Sequence, residues 1–205
     1  MREGRLHAVL TAVIDVIWAG LLWLFCSLPV LTLGASSTAL YYAVVKCIRH
    51  ERGSLTKSFF RAFRENFRQG TLLWLLLVLY VLIGLTNAYA LGSMGIERGS
   101  ALYYLVRLLL LLPLLLFPWL FAFLSRFQNS LGGTLKFSAY LALRHFGVTL
   151  LLAAELAGFG LIVWLIPPLL PLLPGVLCLL MSLSIEPVFR PLTADQNEGD
   201  AWYNE

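Results

Sequence analysis

The stretch TLLWLLLVLYVLIGLTNAYAL, residues 71–91, decides the fold class, because it contains no charged residue and is long enough to cross a bilayer as a helix. A helical span needs about 20 predominantly apolar residues. The whole chain has a similar character: 60% of its 205 residues are hydrophobic, 13% are charged, and the mean hydropathy is +0.82. A water-soluble protein of this composition would have too few polar groups to cover its surface. The sequence therefore predicts an all-α, polytopic transmembrane helical bundle.

Apolar runs on both sides of this stretch predict about six spans within one transmembrane domain, residues 1–191. The second run is short and starts in the small and hydroxyl residues Gly34-Ala35-Ser36-Ser37-Thr38, which we interpret as a break. It is either a full span or a tilted or re-entrant segment. Prolines between Pro167 and Pro171 predict a second break, before the last span. The predicted spans are residues 9–33, 34–48, 71–91, 102–124, 146–166 and 169–185.

Basic residues orient the predicted bundle, because Lys and Arg near the ends of spans stay preferentially in the cytoplasm. The segment 46–70 carries seven basic residues against two acidic ones, and the connection 125–145 carries Arg126, Lys136 and Arg144. Both connections are predicted to be cytoplasmic. Six spans then place both termini on the cytoplasmic side of a bacterial plasma membrane, whereas five spans would place one terminus on the wrong side. Residues 192–205 are predicted to form an acidic cytoplasmic tail.

The stretch SLTKSFFRAFRENFRQG, residues 54–70, predicts an amphipathic cytoplasmic helix over residues 54–69, with Ser54 as its N-cap. Such a helix is typical of the membrane interface, where its rings enter the lipid and its cations face headgroups. It either serves only as an anchor or docks another protein. The candidate contacts with a partner or with headgroups are Lys57, Phe59, Phe60, Arg61, Phe63, Arg64, Phe67 and Arg68.

A two-fold internal repeat is also possible. LPVLTLG (28–34) and LPLLLFP (112–118) are each followed, roughly 30 residues later, by an amphipathic segment that leads into a span. The two segments are SFFRAFRENFRQGTLL, from Ser58, and SAYLALRHFGVTLL, from Ser138. Two three-span halves of like orientation would be related by an axis near the membrane normal.

Ionisable residues within apolar runs are candidates for intramembrane polar contacts, because a charge at membrane depth normally faces a partner or a water-filled cavity. Asp15 and Arg107 lie near the ends of their spans, and each either is solvated there or contacts a polar group. Glu155 lies deeper, among small residues that allow another helix to approach. It either fixes packing within the chain or contributes to an interface or a transport path. Glu186, before Pro187, is interpreted as the boundary of the last span.

Residues 21–70 resemble the signature region of the YesL family of small bacterial membrane proteins. The resemblance is carried by the Leu-Pro-x-x-Thr-x-Gly-Ala-Ser turn, the Ala-Leu-Tyr-Tyr pair and the Phe-Phe-x-x-Phe-x-x-Asn-Phe helix, and it extends more loosely to about Pro191. It implies a Gram-positive plasma-membrane protein whose genes tend to lie beside carbohydrate ABC importers and polysaccharide-degrading enzymes. The family provides no established catalytic residues.

The residues themselves carry no Walker motif, no metal-ligand spacing and no Ser-His-acid cluster, so we expect no enzyme, no cofactor and no metal site. Together with the resemblance, this favours a non-enzymatic accessory subunit of a carbohydrate (oligosaccharide) ABC importer. The expected partners are membrane lipids and the importer's transmembrane subunits, without nucleic acid and without direct sugar binding. The alternative is a small stand-alone transporter or channel with a polar path through Asp15, Arg107 and Glu155.

Overall fold

The computed structural model describes residues 2–93 and 100–193, and this part of the chain is helical, without a β-strand. Short 3-10 helices precede the second and the last helix, at Val30–Thr32 and Pro167–Leu169, and a π-helical segment, Val44–Arg49, continues the second helix. The α-helices are α1 Arg2–Ser27, α2 Leu33–Ala43, α3 Leu55–Ser93, α4 Ala101–Leu109, α5 Leu112–Arg126, α6 Leu131–Arg144, α7 Phe146–Leu165 and α8 Leu173–Thr193.

Six helical segments in the described ranges are long and apolar enough to cross a membrane. The predicted all-α membrane bundle with six candidate spans is confirmed. Residues 30–49 form a segment of 20 residues, which at about 1.5 Å per residue matches the hydrocarbon thickness of a bilayer. The six segments are Leu10–Ser27, Val30–Arg49, Leu55–Ser93, Tyr103–Arg126, Phe146–Leu165 and Leu173–Leu192.

The interpretation of residues 34–38 as a break is wrong, because these residues form the first turns of α2 and are largely buried. A Cβ atom at Gly34 would lie 2.2 Å from the carbonyl oxygen of Gly70, so the absence of a side chain lets α2 and α3 touch at backbone distance. The Thr38 hydroxyl donates to the Gly34 carbonyl at 3.0 Å and thereby stays inside the helix. Small residues at this position therefore serve helix packing.

The predicted boundary between the amphipathic segment 54–69 and the span 71–91 is absent. Both belong to α3, a single α-helix of 39 residues, which at about 1.5 Å per residue exceeds the hydrocarbon thickness nearly twofold. Gly70 does not interrupt the helix, because it is the packing partner of Gly34 and Ala35 on α2. The amphipathic segment is therefore continuous with the third span in one α-helix.

Two other predicted spans have different bounds. The predicted span 102–124 consists of α4 and α5, which a turn at residues 110–111 separates, and Pro113 stands in the first turn of α5. Proline is favoured at that position because its missing N–H has no acceptor there. The last helix, α8, continues to Thr193 through Pro187, so Glu186 is inside a helix and does not end it. Of the predicted tail, residues 192–205, the part beyond Thr193 lies outside the described residues.

The centre of the bundle is formed by α2 and α5, which pack against each other and are surrounded by α1, α3, α7 and α8. Trp119 of α5 is fully buried, and its indole N–H donates to the Thr149 hydroxyl of α7 at 2.9 Å. We call α2 and α5 the central pair. The ends of the π-helical segment, of α5 and of α8 together form what we call the basic end, since Arg49, Arg126 and Arg190 lie in their last turns.

The two segments of the possible repeat differ in their backbones and agree in burial at only some of the corresponding positions. The first is continuous with its span in α3, whereas in the second α6 ends at Arg144 and α7 starts at Phe146, with His145 in a non-helical conformation. Corresponding positions match in exposure only in part, since Arg61 is exposed whereas Leu141 is buried. The pairs Ser58 with Ser138 and Ala62 with Ala142 are buried, and the pairs Phe60 with Tyr140 and Arg64 with Arg144 are exposed.

Candidate functional site: a basic surface and a buried ionic cluster

The first four turns of α3 have one face buried in the bundle and one face exposed. Leu55, Phe59 and Ala62 belong to the hydrophobic core, with Phe59 fully buried. The opposite face presents cations and two phenyl rings. We call this face the basic surface; it consists of Lys57, Phe60, Arg61, Arg64, Phe67 and Arg68.

The basic surface is held in place from two sides. The Trp18 indole N–H of α1 donates to the Thr56 hydroxyl at 2.9 Å. Three turns later, the Gln69 amide donates to the Asn129 carbonyl at 2.8 Å and to the Thr134 hydroxyl at 3.0 Å, which ties α3 to the start of α6. Together with the burial of Phe59, these bonds fix the rotation of α3 and therefore the direction in which its cations point.

The phenylalanines of this segment do not share one environment, contrary to the prediction of a single lipid-facing row. Phe59 is fully buried and Phe63 is half-buried, whereas Phe60 and Phe67 are 41% and 40% exposed. Phe60 meets Phe59 edge to face with ring centroids 5.7 Å apart, and Phe67 meets Phe63 in the same way at 5.4 Å. Helical periodicity predicted the rings and the cations on opposite sides, but Phe60 and Phe67 share the exposed face with the cations. Periodicity cannot tell which rings a neighbouring helix covers.

A cleft of about 500 Å³ lies on the basic surface. Its three cations outnumber its one carboxylate, so it suits an acidic group. Guanidinium forks bind carboxylate and phosphate through paired hydrogen bonds, whereas an ammonium group acts as a point charge. The cleft is lined by Thr56, Lys57, Phe60, Arg61, Arg64 and Glu65.

A buried ion pair joins the central pair to α8. Nη2 of Arg126, on α5, lies 2.7 Å from Oε1 of Glu186, on α8, and their side chains are only 2% and 16% exposed. The Tyr41 hydroxyl of α2 donates to the same carboxylate oxygen at 2.9 Å. One turn earlier on α8, the Ser182 carbonyl and hydroxyl accept from Nη1 of Arg49 at 2.6 and 3.1 Å. We call these five residues the ionic cluster.

His50 lies beside the ionic cluster, at the end of the π-helical segment. Its partial burial, followed by the positive charges of Arg126 and Arg49, lowers the pKa of this imidazole. Both causes disfavour the protonated form. His50 is therefore neutral at neutral pH, and the basic end gains no further positive charge from it.

Sequence reasoning missed the ionic cluster, because Arg126 served only to orient the bundle and Glu186 was interpreted as a boundary. A usable signal was present: both residues were predicted at the same side of the membrane, and they carry opposite charges. A charge at the edge of a span is expected to seek such a partner. The pairing of these two residues, 60 positions apart, depends on how α5 and α8 pack.

The three predicted intramembrane contacts belong to different packing neighbourhoods. Asp15 is half-buried on α1, which packs mainly against α2, α3 and α8. Arg107 stacks on the Tyr103 ring at 4.6 Å on α4, which packs against α3. Glu155 is half-buried on α7, and its Oε2 atom is buried without a hydrogen-bond partner among the described residues. The geometry does not gather these residues into one path.

Within residues 2–93 and 100–193, no group of three or more His, Cys, Asp or Glu side chains has an arrangement that could hold a metal ion.

Comparison with known proteins gives one similarity. Residues 16–88 match a family model described as "Protein of unknown function, DUF624". The match covers 73 of the 205 residues, from the middle of α1 through α2 and most of α3, and it includes the whole basic surface. No curated protein and no solved structure matches the chain. Because YesL belongs to this family, the match agrees with the sequence resemblance at the level of the family for this segment.

Proposed function

We propose that the chain is a non-enzymatic integral membrane accessory subunit that binds a larger membrane complex through the basic surface. The observation that supports this is the rigid display of that surface: one face of α3 is locked into the core while four cations and two phenyl rings face outward. Arg and aromatic side chains are enriched at protein interfaces, and a pre-positioned surface loses less entropy on binding.

The proposed partner is the transmembrane part of a carbohydrate ABC importer. This class of partner is suggested by the YesL resemblance and by the neighbourhood of genes that it implies. The chemistry of the basic surface adds one requirement: the partner must present carboxylates and an apolar patch close to the membrane. The alternative, a stand-alone transporter, receives less support, since its proposed polar residues lie in separate packing neighbourhoods.

The proposal also requires the basic end to face the cytoplasm of a bacterial cell. Single cysteines placed at Arg61, Lys136 and Arg98, with Cys26, Cys47 and Cys178 replaced by Ser, test this orientation. We expect a membrane-impermeant maleimide added to intact cells to label position 98 only, because the positive-inside rule assigns the other two to the cytoplasm. Labelling of position 61 from outside would reverse the orientation.

Docking is tested by exchanging Arg61, Arg64 and Arg68 for Lys and purifying the chain from native membranes in mild detergent. A lipid surface responds to charge, which the exchange preserves, whereas a protein partner with bidentate contacts responds to shape. We expect normal insertion but severalfold lower recovery of importer subunits. The matched control is Arg144→Lys, an exposed arginine at the corresponding position of the repeat, which should leave recovery unchanged.

A second variant separates apolar from polar contacts on the same surface. Phe60→Ala combined with Phe67→Ala removes the two exposed rings and should also reduce the recovery of the partner, since a buried aromatic ring contributes about 1.5 to 3 kcal/mol to an interface. Recovery equal to wild type in both the Lys and the Ala variants would reduce the basic surface to a lipid anchor.

A further inference from the structure

A large cavity lies between the spans, where α1, α2, α3, α5, α7 and α8 each contribute lining residues. Its volume is about 560 Å³, within the range of about 300 to 1,000 Å³ that is typical of ligand sites. The lining is almost entirely apolar and rich in aromatic rings. One lining residue from each helix, in that order, is Trp23, Tyr41, Val78, Phe117, Phe159 and Met181.

Water is a poor occupant of this cavity. Buried water needs two to four polar partners, and this lining offers few side-chain polar groups, of which two already have partners. The Tyr41 hydroxyl donates to Glu186 at 2.9 Å, and the Trp23 indole N–H donates to the Ser37 hydroxyl at 3.1 Å. An empty cavity of this size is also unfavourable, because its lining loses dispersion contacts. A hydrocarbon chain restores those contacts without needing any polar partner.

One end of the cavity meets the ionic cluster. Tyr41 lines the cavity with its ring and reaches the Arg126–Glu186 pair with its hydroxyl. Met181 lines the cavity next to Ser182, which accepts from Arg49. Two guanidinium groups stand against one carboxylate at this end, and Arg49 is exposed. The charge there is complementary to an anionic head group.

We propose that this cavity binds the hydrocarbon chain of an anionic membrane lipid, with the head group at the ionic cluster. The site differs from the basic surface: its lining residues on α3 belong to the apolar part of the helix and begin at Trp74, about one turn beyond Gly70. The lipid proposal therefore assigns a ligand to a part of the molecule that the proposed docking function does not use. The shared chemistry is an acyl chain with a negative head, from either a phospholipid or a free fatty acid.

Photo-crosslinking of the full chain in nanodiscs tests this site. The probes are a phosphatidylglycerol, a phosphatidylcholine and a free fatty acid, each with a diazirine in the middle of one acyl chain, and adducts are mapped by mass spectrometry. We expect adducts on Val78, Phe117 and Phe159 from an anionic probe and severalfold fewer from phosphatidylcholine. Cavity adducts from phosphatidylglycerol assign the site to a phospholipid; cavity adducts from the fatty acid alone assign it to a free acid.

Filling the cavity provides the decisive variants. Val78→Trp and Val81→Trp place an indole in the cavity and should lower the cavity adducts severalfold while the chain elutes as wild type. Leu79→Trp is the matched control, because Leu79 is 53% exposed on the outer side of the same helix, and it should leave the cavity adducts unchanged.

Three results would overturn the proposal. The first is adducts confined to outward residues such as Leu79, which would indicate ordinary surrounding lipid. The second is cavity labelling that neither filling variant reduces, or that phosphatidylcholine gives equally, since the latter removes the role of the ionic cluster. The third is cross-linking of benzoylphenylalanine at position 78 to another polypeptide, which would assign the cavity to a partner helix.

Discussion

Two segments rich in small residues, one on α2 and one on α7, are packed in opposite ways. In α2, Ala35, Ser36 and Thr38 are completely buried. In α7, Gly158 and Gly160 have no atom within 4 Å of the place where a Cβ would be. In the span-forming segment Val30–Arg49, which contains α2, 61% of the residues are buried inside the bundle. In the segment Phe146–Leu165, which is α7, only 11% are buried.

The difference shows that small residues permit a close helix approach but do not create one. Gly34 on α2 faces Gly70 on α3, so two helices offer small residues at the same crossing point. The glycines of α7 have no such counterpart among the described residues. Close packing in a membrane therefore depends on matched positions on two helices.

The largest difference in stability between the two helices is expected when the same side chain is added to a glycine of each. Gly34→Leu would force atoms into the Gly70 carbonyl, the Trp74 side chain and the Phe121 ring, and we expect a loss of about 5 kcal/mol or more because backbone on both sides must move. Gly158→Leu should fold normally. Size-exclusion recovery in detergent measures both, and equal recovery would contradict the assigned role of the α2–α3 crossing.

Two adjacent phenylalanines extend the comparison to α3. Phe59→Ala removes a fully buried ring and should cost about 4 kcal/mol. Phe60→Ala removes a ring that is 41% exposed and should change the free energy of unfolding by less than about 1 kcal/mol. Thermal unfolding followed by tryptophan fluorescence measures the two variants. A larger effect for Phe60 than for Phe59 would contradict the assignment of Phe59 to the buried face of α3 and of Phe60 to its exposed face.

Two glutamates provide the corresponding test for charge. Glu186→Gln removes the carboxylate that pairs with Arg126 and should cost about 3 kcal/mol, because the guanidinium stays buried. Glu155→Gln should be close to neutral, since its Oε2 atom has no hydrogen-bond partner to lose within the described ranges. The same unfolding assay applies. Replacing Arg126 and Glu186 together by Leu should recover part of the loss, and a double variant that is worse than both single ones would argue against a simple pair.

The smallest expected effect concerns pH. The pKa of His50 is lowered in the folded state by burial and by Arg126 and Arg49, so the unfolded chain binds a proton more readily than the folded one. Stability from this group is complete above about pH 6.5, the ordinary value, and is lost as the pH falls below it. We expect the melting temperature to fall less for His50→Gln than for wild type between about pH 7.5 and about pH 5.5. An identical fall in both proteins would exclude His50 as a contributor.

Much of the architecture was predictable from the sequence, because apolar runs of span length have few alternatives. The six spans and the break at Pro167 follow from hydrophobic length and proline chemistry. The bounds were less predictable. Gly34 was taken for a breaker and the Gln69–Gly70 step for a boundary, since glycine has the same sequence signature in a turn and in a close helix crossing.

The sequence by itself determined that this chain is an all-α membrane bundle, because hydrophobic length and the need to satisfy backbone hydrogen bonds in lipid leave no other choice for it. It also determined that the start of α3 has an apolar and a basic face. Only the tertiary structure decided that Phe59 is buried while Phe60 is exposed, that Arg126 meets Glu186, and that six helices line an apolar cavity. Those features depend on the relative rotation and height of helices distant in sequence, which no local pattern of residues specifies.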